Sequence, residues 1–505
     1  MLRVSESNDS YEKIIKATSI FGGVQVFNFI ISMIRSKLIS VLIGSTGMGI
    51  VALLNATINF IAGFTSLGIE VSAVKYISRN YVDGDSYELS KTIFIIKRIV
   101  WVSGILGALS VLILSTKLSK ITFGNLEYTT SFIWVSMTIL FRQLSVGQLA
   151  ILQGFQKLKS LAKANLYGSF FGLLLSIPFY YYLKLEAIVP AIIISSIAAL
   201  FFSYKYSNRI KLDKIEVVKK ELYYESKNII FLGLRLSFST ILTAFSAYYL
   251  QIYIGNNGGL ATVGLYNAGF VLLNSYVGLI FTSMATDYLP RLSAVIDNEL
   301  KTNEAVLQQT LIGGLIITPI ITLFMLFSKY IVLLLFSNEF LIIVPMVTIG
   351  ALGMIFRVVS FSIGYMVLIK ADTKLFIKSA IGFNALNLVL NLLGYYYYGL
   401  LGLGIAFTLH YLLHLIFVKM ISFYNYHFTF DIEFIKVYIV CLVLCLTAYL
   451  STLIENETLK YSLSGFVFLF SLFFSLKEIN KKINLISIAS KLKTKIYVFL
   501  FKKNV

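Results

Sequence analysis

Apolar segments of about 20 residues, each long enough to cross a bilayer as a helix, follow one another along almost the whole chain, with only short polar connectors between them. The pattern predicts about 14 spans, centred near residues 30, 58, 104, 140, 173, 197, 241, 273, 316, 355, 386, 412, 444 and 468. The longest connector runs from about Lys205 to Lys227, between the sixth and seventh spans. No connector is large enough for a soluble catalytic domain. An all-α integral membrane protein is the fold class that follows.

Polar positions inside the spans recur at helical spacing. In the first span Gln25, Asn28, Ser32 and Arg35 share one face, and in the second Asn55, Asn59, Ser66 and Glu70 do the same. The seventh carries Arg235, Ser239, Thr243 and Ser246, the eighth Asn267 and Asn274, and the eleventh Asn384, Asn387 and Asn391. Charged side chains at membrane depth cost about 2.5 to 3.5 kcal/mol on insertion scales and usually face a water-filled path. Small and amide side chains also hydrogen-bond between packed helices, and arginines near span ends reach the interface as snorkelling cations. Arg142 and Arg357 lie near the middle of their apolar runs, which sets them apart from Arg35 and Arg235.

The same pattern occurs twice. Phe141-Arg142, Ser145, Lys159, Lys163 and Tyr180-Tyr181-Tyr182 return as Phe356-Arg357, Ser360, Lys374, Lys378 and Tyr395-Tyr396-Tyr397, at a constant offset of 357 − 142 = 215. Gly49 and Gly264, Asn59 and Asn274, Gly63 and Gly278, and Ser78 and Ser293 are related in the same way. Internal similarity at half-chain spacing marks a transporter built from two repeats. Six spans per repeat make the repeats parallel, so two six-helix lobes are expected about a pseudo-two-fold axis along the membrane normal. The expected boundaries are 1–204 for the first lobe, 205–228 for a basic linker, 229–424 for the second lobe, and 425–505 for two further spans and a basic tail.

Composition agrees with a bilayer as solvent: 505 residues, 58% hydrophobic and 13% charged, with mean hydropathy +0.83. In a soluble protein the net charge of +19 would suggest nucleic acid. Its placement says otherwise. With the N-terminus in the cytoplasm, cytoplasmic segments hold about 29 Lys and Arg and the opposite loops about five, an asymmetry that fixes orientation with both termini inside. Much of the excess charge then faces anionic headgroups. The polar start, with Glu6, Asp9 and Glu12, is a poor signal peptide. Cys441 and Cys445, four residues apart in one span, read as packing residues.

Acidic residues are nearly absent from the spans; Glu70 and Asp287 sit close to predicted cytoplasmic ends. A site for cations needs a buried carboxylate, whereas arginines without carboxylates suit an anion, phosphate in particular. His410 and His414 share a helix face but have no Glu or Cys partner nearby, so no metal site is expected. There is no glycine-rich phosphate loop and no nucleophile signature, and Tyr180 to Tyr182 and Tyr395 to Tyr398 read as interfacial aromatic belts. No cofactor and no enzymatic activity are expected.

The run Ser36-Lys37-Leu38, Leu42-Ile43-Gly44, Gly47-Met48-Gly49-Ile50, Leu67-Gly68-Ile69 and Ala73-Val74-Lys75-Tyr76 resembles the opening of polysaccharide-exporting flippases, O-antigen translocases in particular. Leu152-Gln153-Gly154-Phe155 and the basic connector after it resemble that family's turn between the fourth and fifth spans. The family shares a superfamily with multidrug and toxic compound extrusion transporters and lipid II flippases. What the resemblance implies is two lobes alternating between inward-open and outward-open states, moving a lipid-linked oligosaccharide across the bacterial inner membrane. Arg35 stands where relatives often carry a cavity-lining basic residue. The expected substrate is a polyprenyl-diphosphate-linked oligosaccharide. Arg35, Arg142, Arg235 and Arg357 would attract the diphosphate or acidic sugars, while Gln25, Asn28, Asn55, Asn59, Asn267 and Asn274 contact hydroxyls. Membrane lipids and other glycan-assembly membrane proteins are the expected partners, with no nucleic acid, and a monomer is expected. The alternatives are a cation-coupled multidrug exporter of the same fold and, from another class, a membrane-embedded glycan polymerase or acyltransferase.

Overall fold

The computed structural model describes residues 2–210, 212, 213, 215, 217–370 and 373–482. Side chains of residues 2–25, 276, 279, 282, 283, 286, 287, 373 and 482 lie outside that description, and with them the expectations for Gln25, Glu6, Asp9, Glu12 and Asp287. The lysines beyond residue 482 lie outside it too.

Every regular element among the described residues is helical: α1 (Leu2–Thr65), α2 (Ile69–Asp83), α3 (Ser86–Phe123), α4 (Thr129–Gly154), α5 (Leu158–Leu183), α6 (Ile188–Ser207), α7 (Lys219–Val271), α8 (Leu279–Ser293), α9 (Glu299–Leu335), α10 (Val344–Ile369), α11 (Thr373–Tyr426), α12 (Ile432–Thr452) and α13 (Glu457–Lys482). Among the described residues, ten stretches are long and apolar enough to cross a membrane. Four of these are 40, 50, 57 and 53 residues long, and each contains two of the centres read from the sequence.

Backbone breaks divide these long stretches, and they obey the repeat. Gly44 breaks α1 at φ 67, ψ −170, and Gly259 breaks α7 at φ 80, ψ 172. Lys184, between α5 and α6, has φ 50, ψ −118; Gly399 breaks α11 at φ 55, ψ −134. Both pairs are 215 apart (259 − 44 and 399 − 184). Positive φ at these four positions turns the chain back with a single residue, and glycine adopts it without the steric cost a side chain meets. Lys184 bears that cost in its repeat.

Contacts divide the chain into two compact units, Met1–Ala268 with Leu333–Leu341, and Gly269–Val332 with Ile342–Val505. In the first unit, α1 packs on α5, α3 on α4, and α4 on α6. Ile69, Ile93, Ile96, Ile99 and Ile151 form its core, and Ile210, Leu212 and Leu222 of the connector before and into α7 pack against it. The connector is tied down by charge as well. Lys91, only 6% exposed, reaches Glu88 at 2.6 Å and Glu225 of α7 at 2.9 Å. Burying a cation is tolerable only with such partners; the carboxylates are 42% and 34% exposed, so water screens the network and losing Lys91 costs less than the roughly 3 to 5 kcal/mol of a fully buried pair. Lys91→Ala is therefore expected to lower the unfolding temperature in detergent markedly, whereas Lys91→Met, which keeps the packed stem, is expected to lower it much less when Glu88 and Glu225 are also made glutamine.

Two further contacts in the first unit position the break at Gly44. Lys37 Nζ donates to the carbonyls of Leu333 and Phe336, both at 2.7 Å, at the C-terminal end of α9. Glu339 accepts from Ser45 N at 2.7 Å and from Ser45 Oγ at 3.2 Å. A cation thus meets a helix C-terminus and a carboxylate meets the first turn after the break, each favoured by the helix dipole. Nearby, the repeat-related Gly49 and Gly264 pack face to face: a Cβ on Gly49 would overlap the Leu260 carbonyl, and a Cβ on Gly264 the Ser45 carbonyl. Ser45 and Leu260 are themselves 215 apart, so this contact is self-complementary, as a two-fold axis requires.

In the second unit, α10 packs extensively on α11 and also on α12, and α12 on α13. Thr322 and Ser471 bond at 2.9 Å, tying α9 to α13. Cys441 and Cys445 are buried and free.

Candidate functional site

Inside the first unit lies a cavity of about 400 Å³. Arg35 reaches it from the first half of α1, Asn55 from the second half, Arg142 and Thr138 from α4, Tyr180 from α5, and Ser195 from α6. The break at Gly44 makes this possible, because it folds the two halves of α1 so that both line one space. Four of these side chains are held from behind. Arg35 Nη2 donates to the Ser169 carbonyl at 3.4 Å, and Asn55 Nδ2 donates back to Val51 O at 2.9 Å. Arg142 Nη1 donates to Asn59 Oδ1. Ser195 Oγ donates to Gly172 O at 3.2 Å, between α6 and α5.

Two arginines and no carboxylate are among the described lining residues. Thr138, one turn before Arg142, is buried, and its Oγ1 has no hydrogen-bond partner. A buried hydroxyl without a partner costs about 1 to 3 kcal/mol, which a ligand oxygen in the cavity would recover. Planar guanidinium groups match phosphate oxygens in charge and geometry. The cavity's chemistry is that of an anion site with hydroxyl contacts around it.

The second unit carries the repeat-related pair. Arg357 Nη1 donates to Asn274 Oδ1 at 2.9 Å, the counterpart of the bond between Arg142 and Asn59. Here rings crowd the arginine, whose guanidinium carbon lies 4.7 Å from the centre of the Phe281 ring and 5.1 Å from that of Tyr411.

Of the residues picked out by sequence, then, Arg35, Asn55 and Arg142 meet at one cavity, Asn59 anchors Arg142, and Asn274 anchors Arg357. Arg235 is exposed on α7, 5.0 Å from the Phe231 ring centre, and is not a lining residue. Asn267 is half-buried on α7. Asn28 is half-buried with an unpartnered Oδ1 and does not line the cavity. Asn391 donates to Asn387 within α11, at 2.7 Å to its carbonyl and 2.9 Å to its side chain.

The tyrosine run needs a correction. Tyr181 and Tyr182 are 64% and 79% exposed, as a belt requires, but Tyr180 is 6% exposed and lines the cavity. Successive helix residues are rotated by about 100°, so three in a row cannot share the lipid face. The serines and Thr138 are hidden in the sequence for another reason, since small hydroxyls are common at helix contacts.

A family model described as "Polysaccharide biosynthesis protein" matches residues 38–345. The chain belongs to that family. The match takes in Asn55, Asn59, Arg142 and Thr138 and begins three residues after Arg35. Comparison with curated proteins finds no match. Solved structures share the fold. An inward-facing multidrug resistance MATE family transporter of the MOP superfamily is 15% identical with a TM-score of 0.66, covering 78% of this chain and 94% of its own. The lipid II flippase MurJ, in an inward closed conformation, is 15% identical with a TM-score of 0.65, covering 92% and 99%. A MOP superfamily transporter from Pyrococcus furiosus, described as having a binding pocket of reversed polarity, is 16% identical with a TM-score of 0.57, covering 80% and 93%. The chain thus has a helical fold like that of these transporters.

Proposed function

We propose that this member of the polysaccharide biosynthesis family is a flippase that carries a polyprenyl-diphosphate-linked oligosaccharide, an O-antigen or related surface glycan unit, from the cytoplasmic to the outer leaflet of the bacterial inner membrane. The observation that carries this reading is the cavity with Arg35 and Arg142 and no carboxylate among its described lining residues. Two guanidinium groups would take the diphosphate, while Thr138, Asn55, Tyr180 and Ser195 would take sugar hydroxyls. The lipid tail would stay in the bilayer. Arg357, fixed by Asn274, would meet the anion at a later point in its passage. On this reading the chain has fourteen spans in two lobes plus two helices, works as a monomer by alternating access, and keeps both termini in the cytoplasm.

The multidrug exporter of the same fold is the rival, and a cationic drug would be repelled by this cavity. Deleting the gene is expected to remove or shorten surface glycan and leave tolerance of cationic dyes unchanged. Unchanged glycan with lost dye tolerance would establish the exporter instead.

A further inference from the structure

The second unit holds a cavity of its own, about 650 Å³ in volume, between the end of α8 and the beginnings of α9 and α12. That size lies within the range of about 300 to 1,000 Å³ usual for small-molecule sites. Its lining changes character with depth. Arg291 of α8, Glu304 and Gln308 of α9, and Asp431 and Glu433 at the start of α12 are exposed and mark one end. Met284 lies about two turns earlier on α8, so close to Gly313 of α9 that a Cβ there would come within 2.7 Å of its methyl carbon. Ile312 and Ile316 lie about two and three turns beyond Glu304, so the apolar lining extends about 12 to 18 Å from the charged end. The cavity has the polarity of an amphiphile.

Polarity at these positions is not a demand of the fold. Subtracting 215 from Met284, Arg291, Glu304 and Gln308 gives Ile69, Tyr76, Leu89 and Ile93. Ile69 and Ile93 belong to the apolar core of the first unit, and Tyr76 and Leu89 pack against it with Ile210, Leu212 and Leu222. One copy of the repeat closes this corner with its own side chains, whereas the other leaves it open and lines it with charge. Arg291 is also held in place: it donates to Gln309 Oε1 at 2.7 Å and lies 5.9 Å from the centre of the Tyr288 ring. Gln309, only 8% exposed, lines the cavity too, and its Nε2 has no acceptor among the described residues. That donor is left for a ligand oxygen.

We propose that this cavity holds the headgroup and upper chains of one phospholipid of the phosphoethanolamine class. The guanidinium of Arg291 matches phosphate in charge and geometry. A primary ammonium, with three N–H donors as in lysine, matches the carboxylates of Glu304, Asp431 and Glu433. Asp431 Oδ1 accepts from Phe434 N at 2.6 Å, and a carboxylate has further acceptor sites to offer. Other headgroups each lose something. An anionic head faces three carboxylates, a quaternary ammonium has no N–H to donate, and a cation without phosphate leaves Arg291 beside a like charge. A resident lipid closes in the second unit the corner that side chains close in the first. Arg35, Arg142 and Arg357 are not among the described lining residues, so this binding is separate from glycan transport.

The unfolding temperature of the full-length protein in detergent, followed against increasing amounts of lipids that share the same oleoyl chains, reads the headgroup alone. Phosphatidylethanolamine is expected to raise it saturably, with an apparent affinity about tenfold or more above those of phosphatidylcholine, phosphatidylglycerol and a trimethylammonium lipid without phosphate. Arg291→Gln is expected to weaken phosphatidylethanolamine binding by about tenfold. Glu304→Lys, at an exposed position, is expected to abolish the advantage of ethanolamine and to favour phosphatidylglycerol. Equal affinities for the four lipids, no saturable effect of any, or tighter binding of the cationic or the anionic lipid by the wild type would overturn the proposal. So would an unchanged preference for phosphatidylethanolamine in Glu304→Lys, which decides alone should Arg291→Gln not elute as a folded protein.

Discussion

Arg35→Ala/Arg142→Ala is expected to cut translocation of the lipid-linked oligosaccharide by roughly 30-fold or more, with the protein still inserted and folded. Truncating one partner of a desolvated, hydrogen-bonded charge pair costs about 2 to 5 kcal/mol, and each 1.4 kcal/mol is about tenfold. Both arginines line the same cavity, and Arg142 is fixed by Asn59. Arg142→Ala alone also frees the Asn59 side chain, so it is expected to cost more than Arg35→Ala, which releases only a backbone carbonyl held at 3.4 Å. Arg142→Lys keeps the charge and loses the planar fork, which places it between wild type and alanine. Arg235→Ala, at an exposed position away from the cavity, is the control and is expected to transport at close to the wild-type rate. Surface glycan measured against protein level in the membrane reads all of these.

The second large effect comes from filling rather than emptying. Ser195→His/Ala199→His copies onto α6 the residues that α11 carries at 410 and 414. Both positions open on a cavity of about 400 Å³, so the imidazoles have space and the fold is expected to survive with a shift of a few degrees in unfolding temperature. Overpacking a closed core would cost about 1 to 3 kcal/mol instead. Transport is nonetheless expected to fall as far as in the double arginine variant, although both arginines remain. Ser195→Ala leaves the cavity open but gives up one contact to Gly172 and one to a sugar hydroxyl; a loss far smaller than in the histidine variant is expected from it. Loss in the histidine variant together with a far smaller loss in the alanine variant separates occupancy of the cavity from the chemistry of one hydroxyl.

The fold was legible in the sequence because two different periodicities reinforce each other. Apolar runs of bilayer length supply the helices, and the constant offset between Arg142 and Arg357 supplies their duplication. The turns were not legible. A single residue at positive φ is enough to reverse the chain at Gly44, Lys184, Gly259 and Gly399, and nothing in the surrounding composition announces so short a turn. Lys184 least of all resembles a turn residue.

For the site, charge is more informative than polarity. Arginine at membrane depth demands a reason wherever it occurs, which is why Arg35 and Arg142 stand out while Thr138 and Ser195 do not. Pairing is hidden for a geometric reason: Asn59 and Arg142 lie on α1 and α4, 83 residues apart, and face periodicity within one helix carries no information about its neighbour. Tyr180 is masked by the two tyrosines after it, which do face outward.

Translocation by the purified protein in liposomes, using a fluorescent polyprenyl-diphosphate oligosaccharide accessible to an external reagent only in the outer leaflet, tests the central claim most directly. Movement by the wild type, loss in Arg35→Ala/Arg142→Ala and retention in Arg235→Ala is the result predicted. Equal movement by the wild type and the double arginine variant, both shown to be folded in the membrane, would contradict it.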